Sequence, residues 1–168
     1  MPHQIEAGND CRVMDWIVNI DRGNRALMSI ISTIIAIIFI LLGILHLYWA
    51  AGGKAGIAKV IPVVEGKPAF DPGKIMTLLV AFGLMGVGAV SYSLGHMNLE
   101  SYPYGAFVSY AGWLLALVFL VRAIGDFRIV GFFKKHKDSE FAVYDTKYYS
   151  PFCLSLSVAF ALLSGSQA

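Results

Sequence analysis

Hydrophobic positions in this chain come in long unbroken blocks, with neither the alternation of a half-buried strand nor the 3.6-residue stripe of a helix that rests on a soluble core. Ala26 to Ala50 and Ile75 to Gly95 each exceed 20 residues without one Asp, Glu, Lys or Arg. About 20 apolar residues in a helix cross a hydrocarbon core of ~30 Å, so both blocks predict transmembrane helices. The first is rich in β-branched residues, SIISTIIAIIFILLGILHLYWA from Ser29 onward. That density weakens a helix in water, but lipid offers the backbone no other hydrogen-bonding partners and enforces one. A third block, Tyr104 to Val121, carries Trp113 near its middle and predicts a third span. In SPFCLSLSVAFALLSGS, Ser150 before Pro151 reads as an N-cap with proline at the first helical position. The apolar run is short for a crossing, so the fourth helix is expected to start earlier, near Asp145, with Pro151 bending its first turns.

Between these blocks the pattern turns polar. Residues 1–25 read as a polar tail with Trp16 and Ile17 as its notable apolar pair, leaving 26–165 as the four-helix domain. Residues 51–74 carry five glycines, three prolines and four lysines, the chemistry of a loop, and Asp71 with Pro72 predicts the start of the second helix. Residues 98–105, NLESYPYG, make a connection short enough to require antiparallel neighbours. Charge gathers in residues 122–149, and within it FRIVGFFKKHK, residues 127–137, fits an interfacial segment whose phenylalanines embed while Lys134, Lys135 and Lys137 meet anionic lipid. The expected fold is all-α: a polytopic transmembrane four-helix bundle with a basic, aromatic-rich interfacial loop before the last helix.

Composition agrees, with 57% hydrophobic residues and a mean hydropathy of +0.66. A net charge of +2, scattered rather than laid along one face, excludes a nucleic-acid footprint. Cys11 and Cys153 have no partners at metal-ligand spacing and read as two thiols. The first apolar block is too long for a cleaved signal core and is expected to stay as an anchor. Four crossings place residues 51–74 and 122–149 on one side with ten Lys and Arg, against Arg12, Arg22 and Arg25 on the other. The excess belongs in the cytoplasm, which puts both termini outside, although Arg22 and Arg25 directly before the first span argue the other way.

The crossings also sort the candidate chemistry. His46 ends span one and His96 ends span two, so they lie near opposite surfaces and a bis-histidine haem within one chain is disfavoured. His46, Tyr48 and Trp49 share a surface with Arg122, Asp126, Asp145, Tyr148 and Tyr149. Read plainly, these are ordinary interfacial charges and belt aromatics. Read more sharply, they form a ligand pocket at the mouth of the bundle. Arg122 and Asp126 share a face if the helix continues, Arg122 supplies a fork-shaped donor, His46 a proton-responsive partner, and the tyrosines amphipathic walls. Ionisable groups at this depth are costly and kept mainly for ligands or relays. In span two, Ala81, Gly88, Ser91 and Gly95 form a small-residue stripe that would suit a second copy or a partner membrane protein.

The blocks HLYWAAGG (46–53), IPVVEGKPAFDPGK (61–74) and RAIGDFRIVGFFKKHKDSEFAVYDTKYYSPFCL (122–154) resemble a family of small bacterial four-helix membrane proteins described only as a domain of unknown function, over about residues 30–165. The resemblance implies a compact inner-membrane fold and carries no activity, substrate or cofactor. No metal-binding, Ser/His/Asp or Cys-x-x-Cys arrangement appears, and no Asp or Glu lies inside the first three spans, which weakens ion-coupled transport. Three readings follow. The protein binds or carries a lipid head group or small anion at the polar cluster; it is an accessory or structural subunit of a membrane complex; or it is an interfacial enzyme with His46 and Asp126 as acid and base. Membrane lipids are partners in each.

Overall fold

The computed structural model describes residues 3–56, 63–64, 67–68, 73–125 and 140–167, the side chains of 3–11, 13, 63–64, 67–68 and 140–141 excepted. Helix α1 (His3–Ala50) is followed by a two-residue antiparallel ladder of β1 (Val63–Val64) and β2 (Lys67–Pro68). Then come α2 (Lys74–His96), a 3₁₀ turn (Leu99–Ser101) and α3 (Gly105–Ile124). A short α4 (Glu140–Tyr144) runs through a π-helical turn (Asp145–Tyr149) into α5 (Ser150–Gly165), with right-handed helical dihedrals at Tyr144, Tyr149 and Ser150. Four helical stretches are long and apolar enough to span: Met14–Ala50, Lys74–His96, Gly105–Ile124 and Ala142–Gly165. The all-α, four-span architecture read from the sequence is the one the chain adopts, including the early start of the last helix.

Local boundaries differ from expectation in three places, and a fourth holds. Residues 3–25 are helical and continuous with the first span, so α1 has 48 residues and is about 72 Å long, more than twice a hydrocarbon core. No proline interrupts it, and the Asp21–Arg25 ion pair at 2.8 Å, spaced i,i+4, supports the polar part. Helix α2 starts at Lys74, where the apolar block places it, behind an extended Gly73 that provides no side-chain cap; Asp71 and Pro72, expected at its start, lie outside the described residues. Helix α3 stops at Gly125, whose φ of +93° a side chain would resist, so Arg122 and Asp126 do not share a continued helix. Asp126 and the interfacial segment 127–137 lie outside the described residues. Ser150, expected as an N-cap, sits inside a continuous helix and turns its hydroxyl to Asp145 instead.

The helices pair as two antiparallel hairpins. Along α1 and α2, the Ser29 hydroxyl donates to the Gly95 carbonyl at 2.8 Å and the Ser91 hydroxyl donates to the Ser32 carbonyl at 3.1 Å. A Cβ at Gly88 would stand 3.2 Å from the Ala36 carbonyl oxygen, and one at Gly95 would overlap Ser32. The stripe of Ala81, Gly88, Ser91 and Gly95 is therefore filled by α1 of the same chain, and the expectation that it faces a partner is corrected. Small residues were read rightly as allowing close approach; the nearest helix simply takes the place. Along α3 and α5, Gly112 meets Ser164, and the Ser157 hydroxyl donates to the Ala116 carbonyl at 2.7 Å. Phe39, Phe119 and Phe160 join the hairpins through ring centroids 5.7 and 5.8 Å apart. Gln167 donates from Nε2 to the Leu94 carbonyl at 2.8 Å, which fixes the end of α5 beside the end of α2. Consequently the C-terminal ends of α1 and α3 and the start of α4 lie together at the other end. Ile30, Phe82, Phe107 and Leu117 are more than half exposed, an arrangement that suits acyl chains and not water.

Two outcomes follow from this packing. Gly95→Val forces the α1–α2 contact apart and should lower stability in detergent by about 2 kcal/mol, whereas Gly86→Ala, with nothing within 4 Å, should leave the melting temperature unchanged or raised. With Cys11 and Cys153 replaced by Ser, Lys54→Cys and Lys147→Cys should react with an impermeant thiol reagent from one side of the bilayer and Glu100→Cys from the other.

Candidate functional site at the mouth of the bundle

Arg122 occupies the last turn of α3 and is one-third exposed; Asp145 opens the π-turn and is fully buried. The guanidinium donates from Nη2 to Asp145 Oδ1 at 2.8 Å, and the Ser150 hydroxyl donates to Oδ2 at 3.4 Å. The same turn returns the Ser150 backbone N–H to the Asp145 carbonyl, five residues back. Pro151 supplies a cause. Its ring has no N–H and, in a regular α-helix, would collide with the carbonyl of Lys147; a wider turn just before it makes room. Widening by one residue also swings Ser150 over Asp145. Arg122 and Asp145 are thus brought together by a proline that neither touches in sequence.

Burying a carboxylate costs several kcal/mol unless it is paired and hydrogen-bonded, and Asp145 has both forms of compensation. Arg122 is less completely served. Its Nη1 is buried and has no hydrogen-bond partner among the described residues. Cys153, a half-buried free thiol, follows on the next turn.

The remaining residues expected at this site divide into separate groups. His46 donates from Nδ1 to the Leu42 carbonyl at 2.8 Å and packs edge-on against Trp49 at 4.8 Å. Trp49 Nε1 donates to the Ala55 carbonyl at 2.8 Å, and the Tyr48 ring covers Gly53, where any Cβ would overlap it. With Gly52 at φ +101° and the Gly53 amide donating to the Tyr48 carbonyl at 3.0 Å, the HLYWAAGG block is a helix stop. Among the described residues, no hydrogen bond or ion pair joins His46, Tyr48 or Trp49 to Arg122 or Asp145. Tyr148 faces outward beside Tyr144, 5.9 Å between centroids, with the Lys147 ammonium 5.3 Å from its ring. Together with Val143 they line a shallow outer cavity of about 300 Å³. Tyr149 is half-buried.

His96, expected only at the opposite surface from His46, docks on α1. Its Nδ1 lies 3.3 Å from the Ser32 hydroxyl and its Nε2 3.3 Å from the Thr33 hydroxyl, while Tyr92 stacks on the ring at 4.2 Å. Ser29, Ser32 and Thr33, three hydroxyls on one face of an otherwise apolar span, are the signal that could have pointed there. His46 is 13 residues beyond Thr33 along α1, about 20 Å of helix axis, so the two imidazoles cannot share one iron or metal ion. Among the described residues, no group of three His, Cys, Asp or Glu side chains is arranged to hold a metal.

A family model matches residues 24–160, from the last polar turn of α1 to the middle of α5. The chain belongs to the DUF3995 family. Its description is that of a protein of unknown function, and the match includes His46, His96, Arg122, Asp145 and Ser150. No curated protein matches this DUF3995 chain, and no solved structure does. Most of the helical extension of α1 precedes the matched region.

The ion pair sets a measurable expectation for the DUF3995 fold. Asp145→Asn leaves Arg122 without its counter-charge and should cost about 2 kcal/mol, a value reduced for the exposed third of the guanidinium. Arg122→Gln combined with Asp145→Asn should recover part of that loss in unfolding measured in micelles, because the double variant buries no net charge.

Proposed function

We propose that this membrane protein binds an anionic group, the phosphate of a lipid head group or a small oxyanion, at the bundle mouth beside Arg122. The observation that carries the reading is Arg122 Nη1, a buried donor with no acceptor among the described residues, on a guanidinium already oriented by Asp145. A planar fork held by one carboxylate presents its other edge in a fixed direction, the geometry that suits a phosphate oxygen. The site lies at the end of the spans, at head-group depth. On the side it shares with residues 51–74 and 122–149, ten Lys and Arg raise the local concentration of anions, and the same asymmetry argues for a cytoplasmic face, with both termini outside. The resemblance to small bacterial proteins extends the reading to a bacterial inner membrane.

A second reading, an accessory subunit of a membrane complex, is favoured by a different observation. Met14, Trp16, Ile17 and Val18 are half or more exposed on the part of α1 that precedes the apolar block, where a partner would cover them. The interfacial-enzyme reading has no comparable support, since His46 is bonded to its own helix and Asp126 lies outside the described residues.

Native mass spectrometry after extraction with phosphatidylglycerol and phosphatidylcholine present tests the first reading. The wild type should retain the anionic lipid, and Arg122→Gln should reduce retention about tenfold, the worth of one charge-assisted hydrogen bond. The Arg122→Gln, Asp145→Asn double variant, which keeps the pair neutral, should show the same loss. Unchanged retention in a folded variant overturns the proposal.

A further inference from the structure

At the opposite end of the bundle a cleft of about 880 Å³ opens between the polar turn of α1, the end of α2 and the last residues of the chain. It is the size of small-molecule sites, usually 300–1,000 Å³. Its walls differ by depth. Met28 and Leu94 line it within the apolar spans, Met97 packs on the core at the end of α2, and Asp21, Arg25 and Asn98 are exposed beyond the apolar blocks. The cleft therefore spans the level at which a lipid changes from acyl chain to head group.

Most polar groups near its floor are already committed. The His96 ring is held by Ser32, Thr33 and Tyr92, Gln167 donates to the Leu94 carbonyl, and Ser29 donates to the Gly95 carbonyl. These bonds satisfy the last carbonyls of α2 and make the floor rigid. The rim is different. Asn24 and Asn98 side chains make no hydrogen bond among the described residues, and Asp21 and Arg25 meet only as an exposed i,i+4 pair, 2.8 Å apart. Such an exposed pair is weak, so rearranging it around a ligand is nearly free. One carboxylate and one guanidinium side by side, with amide donors beside them, complement a ligand that carries both charges at short range.

We infer that this cleft is a second binding site, independent of Arg122, for a zwitterionic phosphate ester with a primary ammonium group, the head group of an ethanolamine phospholipid. The ammonium donates to the Asp21 carboxylate. Arg25 and the amide of Asn98 donate to the phosphate oxygens, and the acyl chains leave over Met28 and Met97 into the bilayer. A choline head group has the same charges but no N–H to give Asp21; a glycerol head group has no cation at all. Specificity therefore rests on Asp21 and general phosphate affinity on Arg25.

The test is competition among phosphatidylethanolamine, phosphatidylcholine and phosphatidylglycerol in mixed micelles, with retained lipid read by native mass spectrometry on the Arg122→Gln, Asp145→Asn background so that the other site is silent. Ethanolamine lipid should exceed choline lipid about tenfold, one charge-assisted hydrogen bond. Asp21→Asn should bring the two to parity, and Arg25→Gln should lower both. Both residues are exposed, so an unchanged melting temperature verifies folding. Free phosphoethanolamine is added in a separate arm. Failure to displace the lipid supports a membrane-embedded ligand, and full displacement at micromolar concentration overturns the lipid assignment in favour of a soluble zwitterion. Equal retention of the three lipids by the starting protein, or a preference that survives Asp21→Asn, overturns the site.

Discussion

The hydrocarbon interior offers no water to a backbone amide or carbonyl, and this constraint shapes every element of the protein. A chain that crosses such a medium must pair its own peptide groups, and a helix does so within each segment. The β-branched run of α1, poor helix material in water, is helical throughout its span for that reason. Turns and the two-residue ladder are confined to the ends. The described ion pairs lie there too, Arg122–Asp145 at one end and Asp21–Arg25 at the other.

Within lipid the burial of apolar surface does little to hold helices together, because acyl chains are as apolar as leucine. Contact depends on shape and on hydrogen bonds between helices. Gly88 and Gly95 let α1 approach α2, and Ser29 and Ser91 place hydroxyls on carbonyls across that contact. Gly112 and Ser157 do the same between α3 and α5. The large side chains that meet inside are few: Phe39, Phe119 and Phe160 form the link between hairpins. Ile35, Leu94, Leu156 and Leu163 are buried beside them, and most other bulky residues of the spans, Ile30, Phe82, Phe107 and Leu117 among them, face outward, where lipid replaces the core.

At one end a buried carboxylate, Asp145, is tolerated because Arg122 and Ser150 compensate it, and the π-turn ahead of Pro151 sets the three in register. The pair is deep and nearly neutral, with one donor to spare. At the other end the Asp21–Arg25 pair is exposed and weakly held, above a rigid floor built around His96. The buried pair leaves one edge of a guanidinium unbonded among the described residues; the exposed pair sets two opposite charges side by side.

The chain's own letters settled the class of fold. Uncharged blocks of membrane length leave one solution, and the short link at 98–105 and the apolar run after Pro151 make the crossings four and alternating. That count alone separates His46 from His96, since it rests on length and the thickness of a bilayer. The partners of individual side chains were not legible in the same way. A stripe of small residues states that something packs closely and not what, so Ala81, Gly88, Ser91 and Gly95 turned out to receive α1. Four-residue spacing pointed Arg122 to Asp126, with Asp145 only on the same surface; the helix stop at Gly125 and the widened turn before Pro151 bring Asp145 to the guanidinium. His46 shares a surface with Arg122, but its lone contact to a helix carbonyl and its packing on Trp49 are matters of rotamer and local turn. Hydropathy is a property summed over 20 residues, and it survives any error in detail. A hydrogen bond depends on ångströms and degrees, which only the packed helices define.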